Sequence, residues 1–345
     1  MAARSQACGY GMLESAQESR RSARGDQRAA GEGMYAALDL GTNNCRLLIA
    51  AVPACGASLK VLDSYSRIVR LGEGVSSSGK LSQEAMDRTL QALSACQKKI
   101  AKYPLSGMRF VATEACRRAS NAQEFLARAE RETGLAIEII STEEEAQLAF
   151  RGCASLLKPP ASRAVVFDIG GGSTELMWID TASKAILDWI SIDFGVMNLA
   201  DKYGGSDFSD LAFDDMVSAL AARLSAFNEK NNIAQHVASG AVQLLSTSGT
   251  VTTLAAIHLG LPRYDRARID GITLPADDIR ATTRRLLAMR PSERFSHPCI
   301  GPDRSDFILS GCAIFDAISG LWPAREVTIA DRGVREGIIL SLLEP

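Results

Sequence analysis

DLGTNNCRLLI, residues 39–49, and DIGGGSTELMW, residues 168–178, decide the fold of this chain. Written one above the other at a constant offset, Asp39 falls on Asp168, Gly41 on Gly170 and Leu47 on Leu176. Each is an apolar run, a turn of glycine, asparagine or hydroxyl residues, and a second apolar run, the pattern of two strands joined by a tight turn. The runs extend to YAALDL (35–40) and RLLIAAV (46–52) in the first copy and to RAVVFDIGGGSTELMWID (163–180) in the second. The echo marks a duplication, two halves that open on the same hairpin.

Outward from the hairpins the chain alternates short apolar runs with helical stretches. The first half predicts a strand near 58–71, a helix over 82–103 with Ser82 as its N-cap, a strand at 108–112 and a helix at 121–133. A strand at 136–140 and a helix over 142–157 follow. Lys158-Pro159-Pro160-Ala161-Ser162 then stops the helix and reads as a linker. The second half predicts a strand at 185–193, helices near 211–230, 249–259, 276–289 and 303–319, a strand at 326–330 and a last helix over 333–343. Such alternation means an α/β architecture with largely covered sheets. The expected domains are 34–160 and 161–330, with 331–345 forming a helix that packs back on the first. Residues 1–33 are rich in Ala, Gly, Ser, Arg and Gln, lack an apolar core and contain Glu14, Glu18, Asp26 and Glu32. They read as a disordered extension rather than a secretory signal or transit peptide.

Composition narrows the classes of function. The 345 residues are 46% hydrophobic and 23% charged, with 38 Lys and Arg against 40 Asp and Glu, an ordinary globular balance of about two domains. A net charge of −2 argues against a basic nucleic-acid coat, and no stretch approaches the roughly 18 uninterrupted apolar residues of a membrane helix. The eight cysteines (8, 45, 55, 96, 116, 153, 299 and 312) include no CxxC pair, and three histidines are too few for a multi-His centre. Buried reduced thiols in a cytoplasmic protein are the expectation.

The chemistry lies in the turns. A glycine-rich turn after a buried strand exposes successive backbone N–H groups to an anion. Thr42, Asn43 and Asn44 add side-chain donors in the first turn, and Ser173 and Thr174 in the second. Asp39 and Asp168, at the strand ends, would repel bare phosphate, so beside phosphate-shaped turns they indicate a divalent cation, most simply Mg²⁺. STSGT (246–250) opens a helix whose free N–H groups and dipole suit a third phosphate contact. Glu143, Glu144 and Glu145 stand in the first turn of the 142–157 helix. Such acids are ordinary dipole partners, yet one of them beside two phosphate turns could polarise a water.

Arginines gather at two places. Arg109, Arg117 and Arg118 flank ATEAC (112–116). Arg263, Arg266, Arg268, Arg280, Arg284, Arg285, Arg290 and Arg294 outnumber Asp265, Asp270, Asp277, Asp278 and Glu293 in the same stretch. That local excess would suit a long polyanion, or equally make a solvated helix face.

Six ordered motifs, DLGTNNCRLLIA, ATEACRRASN, STEEEAQLAFRGC, VVFDIGGGSTEL, STSGT and ADRGVREGIIL, together resemble the exopolyphosphatase and guanosine pentaphosphate phosphohydrolase (Ppx/GppA) family, in its short two-domain form. The resemblance implies two duplicated domains of the actin/hexokinase/Hsp70 type (ribonuclease H-like) around an interdomain cleft. It implies that Asp39 with Gly41–Asn44, and Asp168 with Gly170, Gly171, Gly172, Ser173 and Thr174, form phosphate and Mg²⁺ hairpins facing each other. It places the catalytic glutamate at Glu145, with Glu144 as the fallback, and gives Glu175 a functional role. Arg46, Arg117, Ser248, Gly249 and Thr250 fall on further substrate-site positions. Asn44 departs from the serine common at its position.

The activity implied is Mg²⁺-dependent (or other divalent cation) removal of the terminal phosphate from inorganic polyphosphate or guanosine pentaphosphate, with no nucleic-acid or membrane partner and a homodimer as one assembly. Two alternatives stand beside it. One is a small-molecule kinase or phosphotransferase of the same superfamily, including transfer to ADP; the other is a non-catalytic binder of guanosine polyphosphates.

Overall fold

The computed structural model describes residues 33–53, 59–205 and 208–344; the expected N-terminal extension, Cys8, Cys55 and Pro345 lie outside them, except that Gly33 already belongs to the first strand. β1 (Gly33–Leu40), β2 (Asn44–Val52), β3 (Lys60–Ile68), β4 (Gly107–Ala112) and β5 (Glu138–Ile139) form one sheet in the order β3-β2-β1-β4-β5. β6 (Arg163–Ile169), β7 (Thr174–Asp180), β8 (Ala185–Ile192), β9 (Val242–Ser246), β10 (Ile272–Pro275) and β11 (Glu326–Ile329) form the other, in the order β10-β11-β9-β6-β7-β8.

The duplication is visible in the pairing. β1 pairs antiparallel with β2 and parallel with β4, as β6 does with β7 and β9. Asp39 lies opposite Arg46 across the first hairpin, and Asp168 opposite Glu175 across the second, at the same register. The chain is thus an α/β protein of two domains, each built on a mixed sheet. The central strands are apolar on both faces because both faces are covered: Leu38, Leu40, Leu47 and Ile49 pack with the helix Gln83–Ile100, and Ala37, Leu48 and Ala50 pack on the opposite side.

That opposite side is filled by two helices, Thr142–Cys153 and Val334–Ser341. The first has two apolar faces. Leu148 and Ala149 join the first sheet's core, while Ala146, Phe150 and Cys153 pack against Ala164, Val166 and Met177 of the second. The helix therefore clamps the two domains together and fixes its own N-terminal turn in space. Its crossing with Val334–Ser341 is tight enough to require glycine: a methyl on Gly152 would lie 2.0 Å from the Gly333 carbonyl oxygen, and one on Gly337 1.9 Å from that of Leu148.

Several boundaries differ from the sequence expectation. The helix expected over 142–157 ends at Cys153, followed by a 3-10 turn at Ala154–Leu156. Gln243 of β9 ends it by donating to the Leu156 carbonyl (3.0 Å) and accepting from the Lys158 amide (3.0 Å). The helix expected over 303–319 is two pieces, Pro302–Ser305 and Ile308–Leu321, broken where Asp306 and Phe307 turn toward Arg70 of the other domain. β9 and β10 were not expected at all, nor were the short helices Glu114–Arg118 and Val196–Tyr203.

Candidate active site

Both hairpin turns close with the same bond: the Gly41 amide donates to the Asn44 carbonyl and the Gly170 amide to the Ser173 carbonyl, each at 2.9 Å. The turns face one another. A methyl built on Gly171 would sit 3.1 Å from Asn43 Cβ, and one on Gly172 3.0 Å from Thr42 Oγ1. The cleft between them is lined from the first hairpin by Asp39, Gly41, Thr42, Asn43, Asn44 and Arg46, and from the second by Asp168, Gly170, Gly171, Gly172 and Ser173. Gly249 and Thr250, at the start of the helix Gly249–His258, and Glu145 complete the group of sequence-selected residues brought together here.

Others lie behind this lining. Ser248 is buried and caps its helix, its hydroxyl accepting from the Thr250 amide at 3.0 Å. Thr174 donates to the Phe194 carbonyl (2.6 Å). Glu175 is buried, accepting from Ser173 Oγ (2.6 Å) and Ser191 Oγ (2.8 Å). Glu144 turns away to pair with Arg109 at 2.5 Å. Arg117 supports the cleft from beneath, its Nη2 2.8 Å from Glu145 Oε2 and 3.0 Å from Glu114 Oε2.

The cleft also contains residues not expected from the sequence: Thr113 and Glu114 after β4, Val196, Arg304, Phe307, Ile308 and Val334. Thr113, Glu114 and Val334 lie inside motifs already singled out, whereas Val196, Arg304, Phe307 and Ile308 are identified only by spatial convergence. Arg304 donates to Thr253 Oγ1 at 2.7 Å and lies 6.0 Å from the Tyr264 ring centroid, with no carboxylate within ion-pair distance among the described residues. None of the arginines at 263–294 lines the cleft. Arg294 is buried on backbone carbonyls and Arg266 pairs with Glu336 inside the fold, while Arg290 pairs with Glu293 at the exposed surface.

The carboxyls of the cleft are held above their usual range, chiefly by withdrawal from water. Burial raises the Asp39 carboxyl above its usual range, against Arg46 and Arg335. Burial raises Asp168 as well, opposed by Arg46 and reinforced by the charge of Asp39. Glu145 is pushed well up by burial and by Glu175, against Arg117. Glu175 is raised to about 7, chiefly by burial, with the Ser173 hydroxyl pulling the other way. Burial and the neighbouring Arg46 hold Arg304 below its ordinary range, which marks it as a cation short of an anion. Asn43 Oδ1 is buried without a hydrogen-bond partner. Among the described residues no group of three or more His, Cys, Asp or Glu is arranged to hold a metal ion. What the cleft offers instead is two aspartates and an unpaired amide oxygen, hard donors that suit a cation completing its shell with water and substrate.

The fold agrees with comparisons to known proteins. The profile of the Ppx/GppA phosphatase family matches residues 48–345. Exopolyphosphatase 2 of Mycobacterium tuberculosis is 31% identical over 322 residues, covering 89% of this chain and 98% of that protein. The guanosine-5'-triphosphate,3'-diphosphate pyrophosphatase of Aeromonas hydrophila is 30% identical over 311 residues, covering 90% of this chain and 59% of that longer protein. The crystal structure of the Aquifex aeolicus Ppx/GppA family member superposes with a TM-score of 0.74 at 28% identity, covering 90% of this chain and 98% of that one. The chain belongs to the Ppx/GppA phosphatase family.

Proposed function

We propose that this protein hydrolyses the terminal phosphoanhydride of inorganic polyphosphate or guanosine pentaphosphate, with Glu145 as general base. The observation that carries the reading is the placement of Glu145: a helix clamped by both domains presents a basic, buried carboxylate to a cleft whose walls are two facing anion-binding turns.

The terminal phosphoryl group lies between the turns, held by backbone N–H groups of 41–44 and 170–173, by the helix start at Gly249 and Thr250, and by Arg46 and Arg304. Water attacks the terminal phosphorus from the Glu145 side. The new P–O bond forms as the anhydride bond breaks, the electron pair leaves on the oxygen of the shortened chain, and the water proton passes to Glu145. Burial and Glu175 raise the basicity of Glu145, which matches it to that task. The hard-oxygen donors fit Mg²⁺, with Asp39 and Asp168 as the residues that would hold it. When bound, the ion would neutralise charge on the phosphate oxygens. Glu175 acts from behind the turn, through Ser173 and through the charge it presents to Glu145.

Among the described residues no helix is long and apolar enough to cross a membrane. The test is colorimetric phosphate release from polyphosphates of several lengths and from guanosine pentaphosphate, with and without Mg²⁺. Release from at least one substrate supports the reading; phosphorylation of an added sugar or of ADP without free phosphate would favour a transferase instead.

A further inference from the structure

Arg117 is shared between two carboxylates. Its Nε and Nη2 donate to Glu114 Oε2 at 3.3 and 3.0 Å, and its Nη1 to the Ile140 carbonyl at 3.1 Å. Its Nη2 also lies 2.8 Å from Glu145 Oε2, yet that oxygen is buried without an aligned hydrogen bond. One Nη2 therefore stands between two carboxylates, with a directed bond to Glu114 and a closer ion pair to Glu145. Glu114 also lines the cleft, its Cγ 3.0 Å from where a methyl on Gly172 would be. A second carboxylate there opposes binding of a phosphate chain, and holding a substrate does not require it.

We infer that Glu114 is a positioning residue: by sharing the Arg117 guanidinium it weakens the ion pair to Glu145 and keeps that carboxylate free to accept a proton from water. The inference rests on the reading of Glu145 as the base. The groups facing Glu145 are Arg117 and Glu114 from the short helix after β4, Asp39 from β1 and Glu175 from β7; on its own helix Glu144 is engaged by Arg109. Arg118 holds the other Glu114 oxygen at 3.7 Å and reaches Asp193 of the second domain at 3.6 Å, so Glu114 is itself braced from both sides.

The test compares pH profiles of phosphate release for the full chain and Glu114→Gln, which keeps the shape and removes the charge. With Arg117 released to Glu145, the acidic limb of kcat should move down by about one pH unit and the plateau should fall about tenfold, the size of one charge-assisted hydrogen bond, while KM does not rise. In an Arg117→Lys background the same change should shift kcat less than about twofold, because the effect acts through the guanidinium. Glu114→Ala should show the same downward limb if the Gln variant folds poorly. A limb unmoved in both variants, or an equal fall in the Arg117→Lys background, overturns the inference while leaving the base reading intact. Near-normal release by Glu145→Gln overturns both.

Discussion

Gly171 of the second hairpin turn faces Asn43 of the first so closely that a methyl placed on it would lie 3.1 Å from Asn43 Cβ and 3.2 Å from its backbone nitrogen. The two turns, proposed above to hold the substrate's phosphate, therefore meet with no room for a side chain between them. Gly171→Ala should leave the fold in place but push the turns apart by a few tenths of an ångström. Because small misplacements of bound groups are costly, phosphate release should fall about tenfold or more at an unchanged melting temperature. Unaltered kinetics would show that the turns do not grip the substrate together.

A second close approach holds the domains. Gly337→Ala drives a methyl into the Leu148 carbonyl at 1.9 Å, against backbone rather than the end of a flexible side chain that could yield. Overpacking of this kind should cost at least about 2 kcal/mol, read as a lower urea midpoint. Gly320→Ala is the control: Gly320 is exposed at the end of the helix Ile308–Leu321 with nothing within 4 Å of an added methyl, and it should be neutral or stabilising by up to about 1 kcal/mol.

Glu175 links stability to pH. Its folded-state value of about 7 stands above the ordinary glutamate value of 4.5, so between those limits the folded protein binds more protons than the unfolded chain. Stability contributed by this group is therefore greatest in acid and falls as pH rises from about 4.5 to about 7. Glu175→Gln removes the term, so its urea midpoint relative to the parent should improve from pH 5 to pH 8. A difference constant across that range would contradict the assignment.

What was legible in the sequence was the part written locally. The hairpins of β1–β2 and β6–β7 could be read because apolar runs and turn residues lie adjacent, and the offset between Asp39 and Asp168 repeats through the register to Arg46 and Glu175. β9 was missed because VQLLS is a five-residue run whose strand character comes from lying between β6 and β11. Arg304 was missed for a different reason, since it enters the cleft by a tertiary approach from another part of the fold; Glu114 lies inside the quoted ATEAC segment, where only the flanking arginines drew notice. The arginine excess at 263–294 misled because charge in sequence does not say whether a guanidinium faces water, an acid or a carbonyl; Arg294 faces carbonyls.

Arg304 has a separate test. It lies half-buried in the cleft with Thr253 and the Tyr264 ring as its contacts and no acid at ion-pair distance among the described residues, and the proposed function has it pair with substrate. Arg304→Ala should raise KM about tenfold to a hundredfold, the loss of a charge-assisted contact, with a smaller change in kcat. A normal KM in steady-state phosphate release would remove Arg304 from the binding site.

The central claim is that Glu145 takes the proton of the attacking water. The direct measurement is phosphate release by Glu145→Gln beside the parent, on polyphosphate and on guanosine pentaphosphate, with thermal melting as the check on folding. The account predicts at least about a hundredfold lower kcat with an intact melting transition. Turnover near the parent rate in a folded variant would contradict it.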